Sequence, residues 1–164
     1  MIQVDEWFYD FAAANGWKGA TDCLGRTLWD FVAGENMVKL QRILLRRIRS
    51  EVREVELPFR CDGPDVRREM NLRISANASG RLVLFTATMR DELPRAERQP
   101  LLDAAAPRGA ETIEMCGWCD RFYVGNEWVE IEVAAKRLQL FARTELPAIT
   151  HGICPECTEL LLAA

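Results

Sequence analysis

The chain has 164 residues, of which 49% are hydrophobic and 28% are charged, and its formal net charge is −4. This composition is ordinary for a globular protein and is enough for one domain or two small ones. No apolar run approaches the roughly 18 residues that a bilayer span needs. The first residues contain neither a basic start nor an apolar stretch, so a secretory signal is not expected. The sequence therefore predicts a cytoplasmic protein with no membrane partner.

Two helices are predicted near the start of the chain. Segment 7–14 is rich in aromatic residues and ends before Asn15-Gly16, a pair that favours helix termination. We expect its aromatic side chains to lie in a core. Segment 35–49 has an apolar stripe at three- and four-residue steps, formed by Met37, Leu40, Leu44 and Ile48. Its many basic residues favour a solvated face, with docking of an acidic partner as the alternative.

Three strands are predicted next, at 55–61, 70–76 and 81–89, because apolar and polar residues alternate there. Pro58 favours an edge position for the first strand, since proline cannot donate to the ladder. The third strand is apolar on both faces in its first half and is expected to be the most buried. Helices followed by an antiparallel meander predict the α+β class.

Segment 24–32, which reads Leu-Gly-Arg-Thr-Leu-Trp-Asp-Phe-Val, together with the helix and meander after it, resembles the PAS family. The resemblance assigns residues 1–93 to a PAS-like domain. It implies a five-stranded antiparallel sheet with helices on one face, which senses a small ligand or forms a homodimer. This region lacks histidine, the commonest proximal haem ligand, so a bound cofactor is not expected there. Binding of a small apolar ligand stays open, and its binding residues are unknown. Cys23 and Cys61 have no cysteine neighbour and are expected to be buried as small hydrophobic residues.

Residues 94–110 are predicted to be a linker, because they contain three prolines, a glycine and an alanine run without periodicity. Whether Leu101-Leu102 packs against one of the flanking modules stays open at this point. A second module is assigned to residues 111–164. Within it, a hairpin is predicted over 122–129 around the turn pair Gly125-Asn126. A helix over 133–141 and a helical turn at 158–162 complete the module.

The second module contains two C-x2-C pairs, Cys116/Cys119 and Cys154/Cys157. Four cysteines in this pattern are the ligands of a tetrahedral structural zinc site. In a reducing compartment, such pairs favour metal binding over disulfides. We predict a structural Zn²⁺, with iron as the less favoured metal. His151, three residues before Cys154, is predicted to donate to a thiolate or, alternatively, to replace one cysteine as a ligand.

The tail also resembles a small cysteine-rich module that follows sensory domains in bacterial signalling proteins. The resemblance rests on Met-Cys-Gly-Trp-Cys at 115–119 and on Thr-His-Gly-Ile-Cys-Pro-Glu-Cys at 150–157. It implies a zinc-ribbon-like module that docks to a signalling partner. Because about fifty residues bury too little apolar surface to fold alone, a chelator is expected to unfold the tail and leave residues 1–93 folded.

The charge of the tail and the absence of catalytic motifs disfavour two classes of function. Residues 111–164 carry nine acids and four bases, a net charge of −5, which disfavours nucleic-acid binding. The sequence contains no nucleophile–base set, phosphate-binding glycine loop or metalloprotease helix motif. We therefore predict a non-catalytic bacterial signalling or interaction protein. The alternatives are a redox switch, in which the zinc thiolates are oxidised, and a nucleic-acid-binding zinc protein.

Overall fold

The structure is a computed structural model that describes residues 2–15 and 20–164. It divides into two compact units, Met1–Ala33 and Gly34–Ala164. The second unit contains both sheets and all four metal-ligand candidates. The predicted domain boundaries at 93 and 111 therefore fall inside one compact unit, and whether its parts fold separately stays a prediction.

The first unit begins with helix α1, Glu6–Ala14, which confirms the predicted helix. The Asp5 side chain caps it by accepting a hydrogen bond from the Phe8 backbone N–H at 3.0 Å. The expectation that its aromatic residues are buried is wrong for Trp7, which is 80% exposed. A nine-residue helix in so small a unit has too few neighbours to cover every side. Two short 3-10 helices follow, and Cys23 is buried as expected.

The second unit opens with helix α2, Glu35–Glu51, which confirms the second predicted helix. It buries Met37, Leu44 and Ile48 of the predicted stripe, whereas Leu40 is half-buried. Three antiparallel strands follow in the spatial order of the sequence: β1 (Glu54–Arg60), β2 (Val66–Ala76) and β3 (Val83–Pro94). Strand β1 lies at an edge of this sheet, as Pro58 predicted. The mixed helix-and-strand composition agrees with the α+β class.

Two expectations about this sheet are corrected. Strand β3 was expected to be the most buried strand, but it is exposed along almost its whole length. It is the second edge strand, and α2 contacts β2 instead. The PAS resemblance implies five strands, whereas the sheet formed by the described residues has three. The assignment to the PAS family therefore stays a prediction.

A second sheet of four strands follows, in the order β6-β5-β4-β7. Its strands are β4 (Arg108–Cys116), β5 (Phe122–Val124), β6 (Glu127–Val129) and β7 (Leu146–Gly152). Strands β5 and β6 form the predicted hairpin, with Tyr123 opposite Trp128. Gly125 and Asn126 both have positive φ, as a type I′ turn requires. Strands β4 and β7 pair in parallel, a contact that the sequence pattern does not predict.

Helices α3 (Ile131–Arg137) and α4 (Pro155–Ala163) complete the second unit. The helix predicted over 133–141 is interrupted, because Gln139 adopts a left-handed conformation before a 3-10 helix at Leu140–Ala142. The apolar core around this sheet is formed by Leu101, Ile113, Phe122, Val129, Ile131, Ala134, Ala135, Leu140 and Leu146. Leu101 is fully buried in this core, so the predicted linker contributes to it. No helix among the described residues is both long and apolar enough to cross a membrane.

Candidate metal centre

The parallel pairing of β4 and β7 brings the two cysteine pairs together. Cys116 is the last residue of β4 and pairs in register with Gly152, the last residue of β7. Because neighbouring parallel strands end at the same edge of a sheet, the turns that follow them meet there. The Gly117 backbone N–H donates to the Gly152 carbonyl at 3.0 Å and joins the two turns. Cys154 lies two residues after the end of β7 and caps helix α4.

The four predicted cysteines form one cluster. The sulfurs of Cys116, Cys119, Cys154 and Cys157 all lie within 4.8 Å of one another. The Cys119 and Cys154 sulfurs are 3.8 Å apart. Zn–S bonds of about 2.3 Å in a tetrahedron place sulfurs about 3.8 Å apart, which is the Cys119–Cys154 distance. The four cysteines are therefore close enough to hold a metal ion. Four sulfurs complete a tetrahedron, which is the donor set of a structural site.

Backbone amides support two of the sulfurs. The Cys154 N–H donates to the Cys116 sulfur at 3.4 Å, and the Cys157 N–H donates to the Cys154 sulfur at the same distance. The second bond is also the N-cap of α4, whose first residue, Pro155, has no N–H to leave unpaired. Such bonds orient metal ligands and stabilise the thiolate form. The start of α4 therefore includes two of the four candidate ligands, Cys154 and Cys157.

The thiols of the cluster hydrogen-bond to one another, and these bonds shift the pKa values of Cys116 and Cys157 in opposite directions. Hydrogen bonds from the thiols of Cys119 and Cys157 lower the pKa of Cys116. The pKa of Cys157 is raised because its proton is held against the Cys116 sulfur, and burial raises the pKa of Cys154 to about 12. Protons shared between neighbouring sulfurs thus stabilise one thiolate at the expense of the others. A divalent cation at the centre would replace those protons and let all four sulfurs ionise.

His151 lies at the exposed end of β7 and is not one of the four clustered ligands. Its backbone carbonyl lies against α2, since a Cβ built on Gly34 would come within 2.5 Å of that oxygen. Burial lowers the pKa of the imidazole. The predicted roles of His151, as a donor to a thiolate or as an alternative ligand, stay predictions.

Arg121 is a basic residue that contacts two of the four sulfurs. Its Nε lies 3.3 Å from the Cys119 sulfur, and its Nη2 lies 3.6 Å from the Cys154 sulfur. Glu156 holds the other end of the guanidinium at 3.4 Å. The cysteine spacing alone does not indicate a role for this residue. The one pattern that could have indicated it is its position, since it is a basic residue two positions after Cys119 in a strongly acidic tail.

The first cysteine turn is also attached to the end of β1. The Trp118 indole N–H donates to the Pro58 carbonyl at 2.7 Å, and the Trp118 carbonyl accepts from the Arg60 N–H at 2.9 Å. Asp120 accepts from the Asp62 N–H at 2.8 Å. Trp118 is only 4% exposed, and its ring lies 6.1 Å from that of Phe59. The first cysteine turn is thus part of the packing of the first sheet.

A buried ion-pair network surrounds this attachment. The Asp62 carboxylate is 1% exposed and pairs with both Arg60 and Arg95. Arg60 also reaches Glu130 at 2.5 Å, and Arg95 also pairs with Glu132 at the start of α3. Burial raises the pKa of the neighbouring Asp120 to about 7. Because a buried charge without its partner is costly, this network ties the first sheet to α3.

The structure also contains a cavity of 380 Å³ where the end of β3 meets α3 and the second 3-10 helix of this unit. Its lining includes Leu93, Phe141 and the buried Gln99, whose side-chain oxygen has no hydrogen-bond partner. This cavity lies at one end of the first sheet, beside the predicted linker. Cys61, at the other edge strand, is half-buried, and burial raises the pKa of its thiol.

Comparison with protein-family models, with curated proteins and with solved structures found no match for this chain. The class of the protein therefore rests on its own residues. They define an α+β protein with a four-cysteine cluster close enough to hold a metal ion.

Proposed function

We propose that this chain is a non-catalytic interaction protein of bacterial signalling, stabilised by one structural zinc ion. In this proposal Cys116, Cys119, Cys154 and Cys157 hold the metal, and the PAS-like sheet carries the interaction with a second copy or with a small ligand. The single observation that carries the proposal is the convergence of four sulfurs within 4.8 Å. Three of the four cysteines are buried, which suits a closed structural site better than a reactive one.

The metal part is tested by composition. Protein purified without added metal is expected to contain one zinc per chain by plasma mass spectrometry. Cys116→Ser should reduce the metal content strongly, because three sulfurs leave the tetrahedron incomplete. The matched control is Cys61→Ser, which changes a half-buried cysteine outside the cluster and should keep full zinc. Iron in place of zinc would appear as a coloured protein, and metal-free wild-type protein would refute the proposal.

The interaction part is supported by the exposed strand β3. Leu84 is 61% exposed, Phe85 42% and Met89 45%, all on an edge strand of twelve residues. A long apolar edge presents unpaired backbone groups that another strand can complete. We therefore propose that the homodimer forms by pairing of β3 with β3 of a second copy. The acidic tail, net −5, favours a basic surface on any further signalling partner.

The dimer is tested by light scattering coupled to size-exclusion chromatography. Leu84→Lys should convert a dimer into a monomer, because charged residues disfavour edge-to-edge pairing. Leu162→Lys is the matched control, since this α4 leucine is 40% exposed and lies outside the strand. A wild-type protein that stays monomeric at high concentration would refute pairing through β3 and leave the metal assignment intact.

One observation favours a redox switch as the second candidate. Cys119 is the least buried of the four ligand candidates and lies 3.8 Å from the Cys154 sulfur, so these two are placed to form a disulfide. Thiol counting together with released-zinc measurement under mild peroxide separates the candidates. A structural site keeps its zinc, whereas a switch releases zinc as two thiols disappear. Retention on heparin at low salt tests the nucleic-acid alternative, which the acidic tail disfavours.

A further inference from the structure

We propose that Arg121 is the positioning cation of the metal centre, which sets how tightly the metal is held and how slowly the Cys119 and Cys154 sulfurs are oxidised. This inference rests on the proposed metal function and names a residue outside the ligand set. It starts from geometry: one guanidinium reaches two of the four sulfurs, at 3.3 Å and 3.6 Å. An N–H group that bonds a metal-bound sulfur withdraws electron density from it and orients its lone pair.

The negative charge of the cysteine cluster is the first reason to expect a cation beside its sulfurs. Four thiolates around one Zn²⁺ carry a net charge of −2. The surrounding tail adds to this, because residues 111–164 contain only four bases against nine acids. Arg121 contacts two sulfurs, whereas Arg137 and Arg143 pair with Glu127 and Glu111. The guanidinium therefore offsets part of the negative charge where it is concentrated.

Position gives the second reason. Cys119 is the one ligand candidate that is not fully buried, so solvent and oxidants reach its sulfur first. Arg121 lies against this sulfur, and Glu156 fixes its orientation from the far side at 3.4 Å. Cys116 and Cys154 accept backbone N–H bonds within the fold. The arginine thus gives the most accessible sulfur the hydrogen bond that buried sulfurs obtain from the backbone.

The test replaces Arg121 and measures the metal. Arg121→Met keeps the apolar stem but removes the charge and the donors, and zinc affinity, measured by competition with a chromophoric chelator, should fall about tenfold. The zinc affinity of Arg121→Lys should lie between those of the wild type and Arg121→Met. An ammonium keeps the charge but lacks the planar guanidinium that reaches two sulfurs. Arg143→Met is the control, since it removes a cation that pairs with a carboxylate.

Two further readouts separate tuning of the sulfurs from a general loss of fold. In Co²⁺-loaded protein, Arg121→Met should shift the sulfur-to-metal charge-transfer band to longer wavelength, because a sulfur without its donor is easier to oxidise. Peroxide should release zinc several-fold faster. In that reaction one H₂O₂ accepts two electrons from two thiolates, one S–S bond forms, and two protons are taken up to give two waters.

The outcomes distinguish the two proposals. Wild-type protein that binds no metal refutes the metal function itself. Wild-type protein that binds zinc, with Arg121→Met equal to it in affinity, cobalt spectrum and release rate, overturns the role of Arg121 alone. If circular dichroism shows that Arg121→Met does not fold, Arg121→Gln takes its place under the same criteria.

Discussion

Removal of the metal should loosen the first sheet as well as the cysteine-rich tail. The sequence predicted that a chelator unfolds the tail and leaves residues 1–93 folded. The structure leads to a different expectation, because the first cysteine turn contributes three hydrogen bonds to the end of β1 and its neighbour Asp62. Both sheets also belong to one compact unit, Gly34–Ala164.

The magnitude follows from these contacts. Three hydrogen bonds contribute about 0.5 to 1.5 kcal/mol each, and burial of the Trp118 side chain contributes about 1.5 to 3 kcal/mol. Their loss removes roughly 5 kcal/mol, which is comparable to the whole stability of a small domain. Structural zinc itself supplies on the order of 10 kcal/mol or more. Chelation should therefore expose the backbone amides of β4 and β7 to solvent. It should also expose those of β1, whose end is held by the first cysteine turn, and those of its neighbour β2.

Hydrogen–deuterium exchange with and without chelator measures this directly. Peptides that cover β1 and β2 should lose protection in step with those that cover β4 and β7. The Arg60 amide is the most informative position, since it donates to the Trp118 carbonyl. Full protection of β1 and β2 in chelated protein, with the tail exchanging freely, would show that the two parts fold separately and refute this reasoning.

Three further predictions concern the same region. Trp118→Ala should lower the free energy of unfolding by about 3 to 5 kcal/mol. Trp118→Phe should lower it by about 1 to 3 kcal/mol, the cost of leaving the Pro58 carbonyl unpaired; urea denaturation measures both, and an unchanged free energy of unfolding in Trp118→Phe would contradict the indole hydrogen bond. Gly34→Ala should cost at least about 1 to 2 kcal/mol, because φ is +87° and the new Cβ meets the His151 backbone. Gly152→Ala should cost less than Gly34→Ala, since its Cβ meets the movable end of the Glu114 side chain; the reverse order in thermal melts would refute this. Zinc affinity should fall as pH is lowered, since protons compete for the four thiolates; a pH-independent affinity between pH 8 and pH 5 would argue against thiolate ligation.

The sequence predicted the local features of this fold well. The spacing within each C-x2-C pair is visible in the sequence itself. The Gly125-Asn126 pair predicts its turn because both residues readily adopt positive φ. The stripe that begins at Met37 identified α2 because its period is local. These signals need no knowledge of distant neighbours, and the structure places all of them as expected.

What the sequence could not predict depends on contacts between distant segments. The apolar composition of β3 suggested burial, but exposure depends on which strand lies at the edge of the sheet. Strand β7 was missed because its partner is β4, more than thirty residues earlier in the chain. The contact of Arg121 with the sulfurs depends on that same pairing. Leu101 lies in a proline-rich segment without periodicity, and its burial follows from the core around it.

The parallel pairing of β4 with β7 has a kinetic consequence. The two halves of the candidate metal centre lie 38 residues apart at Cys116 and Cys154, and the chain between them contains the β5–β6 hairpin and α3. Contacts of such long sequence separation form slowly, because the entropy cost of closing the loop comes before the contacts stabilise the chain. Zinc uptake by the unfolded chain should therefore reach a plateau rate as zinc concentration rises. That plateau, read by stopped-flow fluorescence of the tryptophans, would report the closing of the sheet rather than the arrival of the ion.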